Sequence, residues 1–314
     1  MIIKEVDSKK RDLDILTQLL RRPDLSDANR CQIRERLNRL YSGIKGEAES
    51  AYQLNFYFGQ SHDWIILHDL RLVDRRQVAQ IDHLLINRCL QIFVCESKRV
   101  AGSMIINEFG EFSHLYQGQI KGMPSPLQQN KRHITILKNI LKTQINLPKR
   151  MGIKLQPSIY SLILVANEAN IQRPKNRLTD LSCIIKNEQI KTAIASYTNK
   201  FNLLPLMKKI SAATLQDFGE QLCNLHRPAP LRDWYKYFGI YSHDNNGIVI
   251  NDIVHNDNTH NNHQLSQPDS VTVQVCSGCD KPLSLAEIQY CQKYKQKFTT
   301  KAYCYQCQRK MKTS

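Results

Sequence analysis

Two apolar runs held three residues apart constrain this chain more than any other feature. Residues 78–86 read VAQIDHLLI, residues 90–98 read LQIFVCESK, and only Asn87, Arg88 and Cys89 stand between them. Both runs have the length and β-branched content of strands, and so short a connection closes them into an antiparallel hairpin. Trp64, Ile65, Ile66, Leu67 and His68 predict a strand ahead of the hairpin. Residues 159–165 (IYSLILV) are almost wholly apolar, the pattern of a strand covered on both faces.

Helical patterns surround these strands. Leu13, Leu16, Leu19 and Leu20 form a stripe that stops before Pro23, which cannot continue a helix. Ser26 or Asp27 can cap a second helix, with Ile33, Leu37, Leu40, Ile44 and Ala48 at helical intervals. Gly43 and Gly46 weaken that helix, so two pieces are an alternative to one. The stretch holding Gly102, Gly110, Gly118, Gly122 and Pro124 reads as a loop. Ser125-Pro126 then opens a helix over 127–142, since proline is tolerated in a first turn. A short strand at 181–185 and helices near 187–198 and 211–225 complete an α/β chain.

The chain has 314 residues, 44 Lys+Arg and 28 Asp+Glu, a net charge of +16 that favours a polyanionic partner, nucleic acid before anionic membrane. No apolar run approaches the roughly 18 residues of a membrane span. The opening MIIKEVDSKKRDLD lacks the apolar stretch of a signal peptide, which predicts a cytoplasmic chain. The charge is unevenly spread: residues 241–270 hold four acidic side chains, no Lys or Arg, seven Asn and four His. Such a composition cannot bury enough apolar surface to offset its ordering entropy, so the segment reads as a linker.

Ten cysteines divide into two groups. Cys31, Cys89, Cys95, Cys183 and Cys223 stand singly and read as reduced, small hydrophobes. Cys276-x-x-Cys279 and Cys304-x-x-Cys307 have the spacing of zinc knuckles, with Gly278 permitting the tight turn. Four thiolates suit one structural Zn²⁺, and a unit of this size needs the metal for most of its folding free energy. Cys291 reads as a buried thiol or a substitute ligand.

The hairpin also carries chemistry. Alternate strand residues share a face, so Glu96 and Lys98 point the same way as Ile92 and Val94. By the same alternation Gln80, Asp82, Leu84 and Ile86 share a face, and if it is the face that carries Glu96 the hairpin sets Asp82 beside Glu96 and Lys98. Two carboxylates and an amine converging on a sheet edge are the donor set of Mg²⁺-dependent (or Mn²⁺-dependent) phosphodiester hydrolysis. His83 points to the opposite face and reads as a hydrogen-bonded core histidine; Trp64 and Trp234 read as packing residues.

Gly46-Glu47, then Gln80 to Ile86 (QIDHLLI), Phe93 to Lys98 (FVCESK), Pro126-Leu127-Gln128-Gln129 and His133 together resemble the nuclease-related domain, NERD. That family is similar to the PD-(D/E)xK, restriction-endonuclease-like superfamily. The resemblance spans residues 42–165 and implies a mixed sheet flanked by helices, with Asp82, Glu96 and Lys98 as the catalytic set, Asp82 and Glu96 holding Mg²⁺. It also implies accessory roles for Glu47 and for Gln129, which lies one helical turn from His133. The expected organisation is a helical N-terminal extension (1–41), the NERD core (42–165), a helical or α/β extension of it (166–240), the linker (241–270) and the zinc ribbon (271–314).

The tail resembles zinc ribbons appended to bacterial topoisomerases. Lys293, Lys295, Lys297 and Arg309, interleaved with Tyr303 and Tyr305, suit phosphate contact and base stacking. Two functions follow: a metal-dependent nuclease, DNA before RNA, whose ribbon assists binding; or a non-catalytic nucleic-acid-binding protein, or one whose ribbon docks a protein partner.

Overall fold

The computed structural model describes residues 1–175, 180–199, 209–240, 276–279, 291, 301–304 and 307–308. The chain divides into two compact units, Met1–His243 and Asp244–Ser314. The expected linker, and with it Lys293, Lys295, Lys297, Tyr305 and Arg309, lies outside the described residues.

The first unit is mixed α/β. Its main sheet has six strands in the order β1 (Ile2–Lys4), β2 (Trp64–Asp74), β3 (Gln77–Asn87), β4 (Gln91–Lys98), β10 (Ser158–Val165) and β12 (Ile184–Lys186). β2–β3 and β3–β4 pair antiparallel, and the remaining neighbours pair parallel; β8 (Lys149–Arg150) and β9 (Ile153–Lys154) form a separate antiparallel pair. The expected hairpin is β3–β4. Asn87 shapes its turn, its side-chain oxygen accepting from the N–H groups of Cys89 and Gln91, each at 3.0 Å.

Helices cover both faces. Helix α3 (Pro126–Thr143) and helix α5 (Ala212–Asn224) pack on one face over Leu67, Leu84, Ile92 and Val94. Helix α2 (Asp27–Phe58) and helix α4 (Ile190–Asn199) pack on the other over Ile66, Leu85, Phe93 and Leu162. Ser125 caps α3 and Ser26 caps α2, each hydroxyl accepting an N–H three residues on. Helix α1 (Lys10–Leu20) and helix α6 (Trp234–Tyr237) close a satellite core against the first half of α2, with Trp234 donating to Asp12 Oδ1 at 2.7 Å.

One open alternative closes and two expectations need correction. Helix α2 is one piece of 32 residues, not two. Gly46 stands inside it at a close approach, where an added Cβ would lie 2.8 Å from Arg99 Cβ. The glycine-rich stretch is no loop but β5 (Ser103–Ile106), β6 (Phe112–Tyr116) and β7 (Gln119–Met123), a meander joined by β11 (Asn170–Gln172) in a second sheet. Gly110 and Gly118, both at positive φ, make its turns.

The second correction lies in the parity of β2 and β3. Ala79 and Ile81 face the α3 side, and so do Leu84 and Ile86; on β2, Ile65 and Leu67 are followed there by Leu70 and Leu72. The ladder runs His68↔His83 and then Leu70↔Ile81, skipping Asp69 and Asp82. Asp69 sits at φ 51°, a left-handed kink that turns both strands over. Gln80 and Asp82 therefore do not share one face with Leu84 and Ile86, as strict alternation had it.

Candidate functional site

The parity switch builds the site. Pairing between β3 and β4 ends at His83↔Cys95, while β4 continues beside β10 as far as Lys98↔Val165. The strands part at Asp82, whose side chain fills the gap and accepts the Ser97 N–H at 2.7 Å. Regular β4 keeps Glu96 and Lys98 on the α3 side, where Lys98 Nζ donates to Glu96 Oε1 at 2.5 Å and to Gln129 Oε1 at 3.2 Å. The close approach at Gly46 sets Glu47, the next residue of α2, beside the end of β4. Asp82, Glu96, Lys98, Glu47 and Gln129 are thus brought to one end of the sheet.

The electrostatics are unbalanced. Glu96 is 2% exposed, and its Oε2 accepts no hydrogen bond. Burial pushes its carboxyl above the usual range; Lys98 opposes the shift and Glu47 adds to it. Asp82 is pushed well up, first by burial, then by the charges of Glu96 and Glu47, against the Ser97 N–H and Lys98. His133 Nδ1 lies 3.8 Å from Glu96 Oε2 but does not neutralise it, because burial, Arg132 and Lys98 lower the imidazole to about 4.

Sequence reasoning missed several residues. Lys9 Nζ lies 2.7 Å from Glu47 Oε2 and 4.0 Å from Asp69 Oδ2. Burial would lower this amine, yet the Glu47 hydrogen bond and the charges of Glu47, Asp69 and Asp82 hold it above its ordinary value. Asn130, fully buried, donates from Nδ2 to Val94 O and Ser161 Oγ, both at 2.8 Å, and so pins α3 to β4 and β10. Its place after Gln128-Gln129 in an amide run was the available signal; nothing local marked Lys9 or Asp69.

His83 is the buried, hydrogen-bonded histidine expected, and it belongs to a chain. Its Nε2 meets Ser97 Oγ at 3.0 Å, its Nδ1 meets His68 Nδ1 at 2.8 Å, and His68 Nε2 meets Asn55 Oδ1 at 2.9 Å. The amide oxygen can only accept, so with both rings neutral the donors run one way, from the Ser97 hydroxyl to His83, to His68, to Asn55. Burial lowers both imidazoles, His68 to about 4, which keeps them neutral. The segment that holds Glu96 and Lys98 is anchored through Ser97 to α2.

This geometry meets the comparisons with known proteins. Residues 42–165 match the family model of the nuclease-related domain. The chain carries a NERD domain. The match covers less than half of the chain, and its first residue falls within α2, so Lys9 and Asp12 lie outside it. No curated protein and no solved structure matches the chain. The NERD domain includes Asp82, Glu96, Lys98, Glu47 and Gln129, and it implies a nuclease-like activity with nucleic acid as substrate. Among the described residues no helix is long and apolar enough to cross a membrane.

In the second unit the sulfurs of Cys276, Cys279, Cys304 and Cys307 all lie within 4.8 Å of one another. Four thiolates around a tetrahedral ion at about 2.3 Å stand roughly 3.8 Å apart, so the cluster is compatible with a zinc ribbon. Burial alone would raise the Cys276 thiol; the N–H groups of Cys304 (3.2 Å) and Gly278 (3.4 Å) outweigh it and bring it down to about 6. Donors trained on a sulfur are what a metal-bound thiolate requires. Cys291 stands apart from the four, buried against Ala302, with its sulfur accepting from the Tyr303 N–H at 3.3 Å.

Proposed function

We propose that this chain is a metal-dependent nuclease, acting on DNA in preference to RNA, with a zinc-bound C-terminal unit that adds nucleic-acid affinity. The observation that carries the reading is Glu96: a buried carboxylate with one oxygen lacking any donor, beside a second carboxylate that burial and charge also disfavour. Adjacent buried carboxylates persist as anions when a cation lies between them. The donor set fits Mg²⁺ or Mn²⁺, hard ions content with one or two carboxylates and several waters, and Asp82 and Glu96 would hold one. When bound, the ion neutralises charge on the scissile phosphodiester and acidifies a water.

The chain's own residues supply the rest. Lys98, fixed between Glu96 and Gln129, orients the attacking water. Gln129 holds the amine in place, and Glu47 adds a third carboxylate beside the pair from α2, which the bound cation would offset. Cys276, Cys279, Cys304 and Cys307 hold one Zn²⁺, and Lys293, Lys295, Lys297, Tyr303, Tyr305 and Arg309 contact phosphate and bases. The test is to incubate the full-length protein with linear, circular and single-stranded DNA in Mg²⁺, Mn²⁺ or EDTA. Cutting that needs the metal supports the reading. No cutting of any substrate with either ion overturns it in favour of non-catalytic binding or protein docking.

A further inference from the structure

Residues 112–167 hold eight Lys and Arg side chains and no Asp or Glu. At the chain's own average of 28 acids in 314 residues, a stretch of that length carries about five. The stretch includes all of α3 and the β8–β9 hairpin. Burying one face of α3 puts its cations on the other: Lys131, Arg132, Lys138 and Lys142 are exposed, with Thr135 and Asn139 between them. Among the described residues none of these four cations forms an ion pair, although Asp217 and Glu220 are exposed on α5, on the same face of the sheet.

The stripe begins beside the carboxylate site. A groove of roughly 350 Å³ between the middle of α3 and the start of β3 is lined by Gln77, Val78, Arg132, His133, Thr135 and Ile136, one cation and no carboxylate among them. His133 Nδ1 lies 3.8 Å from Glu96 Oε2, so one imidazole separates the groove from the buried carboxylate. The turn between β2 and β3 adds Arg75 and Arg76, both exposed, against Asp74. From Lys131 to Lys142 the stripe rises about 16 Å, the axial length of about five base pairs. A row of cations with no acid among them is complementary to a phosphodiester backbone, whose charges are equally uniform in sign. Neither α3 nor the groove wall carries a Phe, Tyr or Trp on which an unpaired base could stack, which favours a duplex over a single strand.

We propose that this groove and the outer face of α3 bind the phosphate backbone of a nucleic-acid duplex and lead it to Glu96. The proposal rests on the nuclease reading for the identity of its occupant. It is tested with full-length protein and a labelled blunt duplex, without added Mg²⁺ or Mn²⁺, by measuring affinity over a range of salt. Lys131→Gln, Arg132→Gln, Lys138→Gln and Lys142→Gln together should weaken binding and lower the log–log salt slope by about 2 to 4, at about 0.9 per lost phosphate contact. Arg11→Gln, Arg21→Gln, Arg34→Gln and Lys191→Gln, exposed on or next to α1, α2 and α4, give the same net charge and should keep the wild-type slope. If the first variant fails to fold, Lys138→Gln with Lys142→Gln decides, with a fall of about 1 to 2. A slope unchanged in the stripe variant, or lowered equally in both sets, overturns the proposal. Unchanged duplex binding with lost sedimentation on phosphatidylserine vesicles overturns it too, and assigns the surface to a membrane. Metal-dependent cutting that survives either result leaves the nuclease reading standing. A lowered slope in a protein that cuts no substrate with either ion keeps the surface and sinks the nuclease reading instead.

Discussion

The two units hold their functional atoms by opposite means. In the first, a sheet covered on both faces forces carboxylates into a buried edge: Leu84, Ile92 and Val94, all fully buried, fix the strands that carry Asp82 and Glu96. The fold comes first and the site bears the electrostatic cost. In the second, the described core around Cys291 holds only Ala302 and Tyr303 besides. Among the described residues its four clustered cysteines are the main internal attraction, so by the zinc reading the site there makes the fold. A site imposed by packing can store unfavourable charge for use; a site that creates its own fold must be electrostatically satisfied.

Removing zinc should break the comparison most visibly. Structural zinc contributes about 10–16 kcal/mol of apparent binding free energy in small finger units. The intact protein should show one zinc per chain by elemental analysis, and chelation, or Cys304→Ser with Cys307→Ser, should abolish it and unfold the second unit. The heat-unfolding transition of the first unit should stay where it was. Zinc content unchanged in the double variant would remove the ribbon.

Next in size is the chemistry of the first unit. Asp82→Ala should cut metal-dependent cleavage by a hundredfold or more, because a lost metal ligand costs several kcal/mol of transition-state stabilisation, roughly 1.4 kcal/mol per tenfold. DNA binding, measured separately by fluorescence anisotropy, should persist. Wild-type cutting rates in Asp82→Ala would refute the assignment. Leu84→Ala tests the packing side: it should destabilise the first unit by about 2–5 kcal/mol in chemical denaturation and leave zinc content unchanged. A loss well below that range would mean the sheet does not carry the site as described.

The smallest effect is the pH dependence of stability without divalent metal. Asp82 and Glu96 have folded pKa values above their unfolded ones. Their protonated forms therefore stabilise the fold below the ordinary carboxylate range, near pH 4, and that stability is lost as pH rises through the raised values. The informative quantity is the difference between wild type and Asp82→Asn. The melting temperature of the variant should gain on the wild type as pH rises towards neutrality. Parallel curves would show that the buried charges are satisfied without metal.

Much of this was legible in the sequence because it is local. Strand β4, the Ser125 cap of α3 and the hairpin turn at Asn87 depend on neighbours a few residues away, and periodicity or a capping hydroxyl reports them directly. The cysteine spacing likewise announces a four-sulfur cluster whatever the surrounding fold. Gly46-Glu47 was readable as a motif, though not the reason for its glycine, which is the close approach of Arg99 Cβ. The meander of β5 to β7 was hidden because glycines at positive φ look alike in a loop and in tight hairpin turns. Tertiary structure alone decided the turnover of β2 and β3 at Asp69 and Asp82, which cancels the strict alternation used to place Asp82. It alone brought Lys9 to Glu47 across 38 residues and joined Asn55, His68, His83 and Ser97 into one chain of donors. Contacts of that kind depend on which faces of distant elements meet, and that is settled by the packing of the whole core rather than by any pattern along the chain.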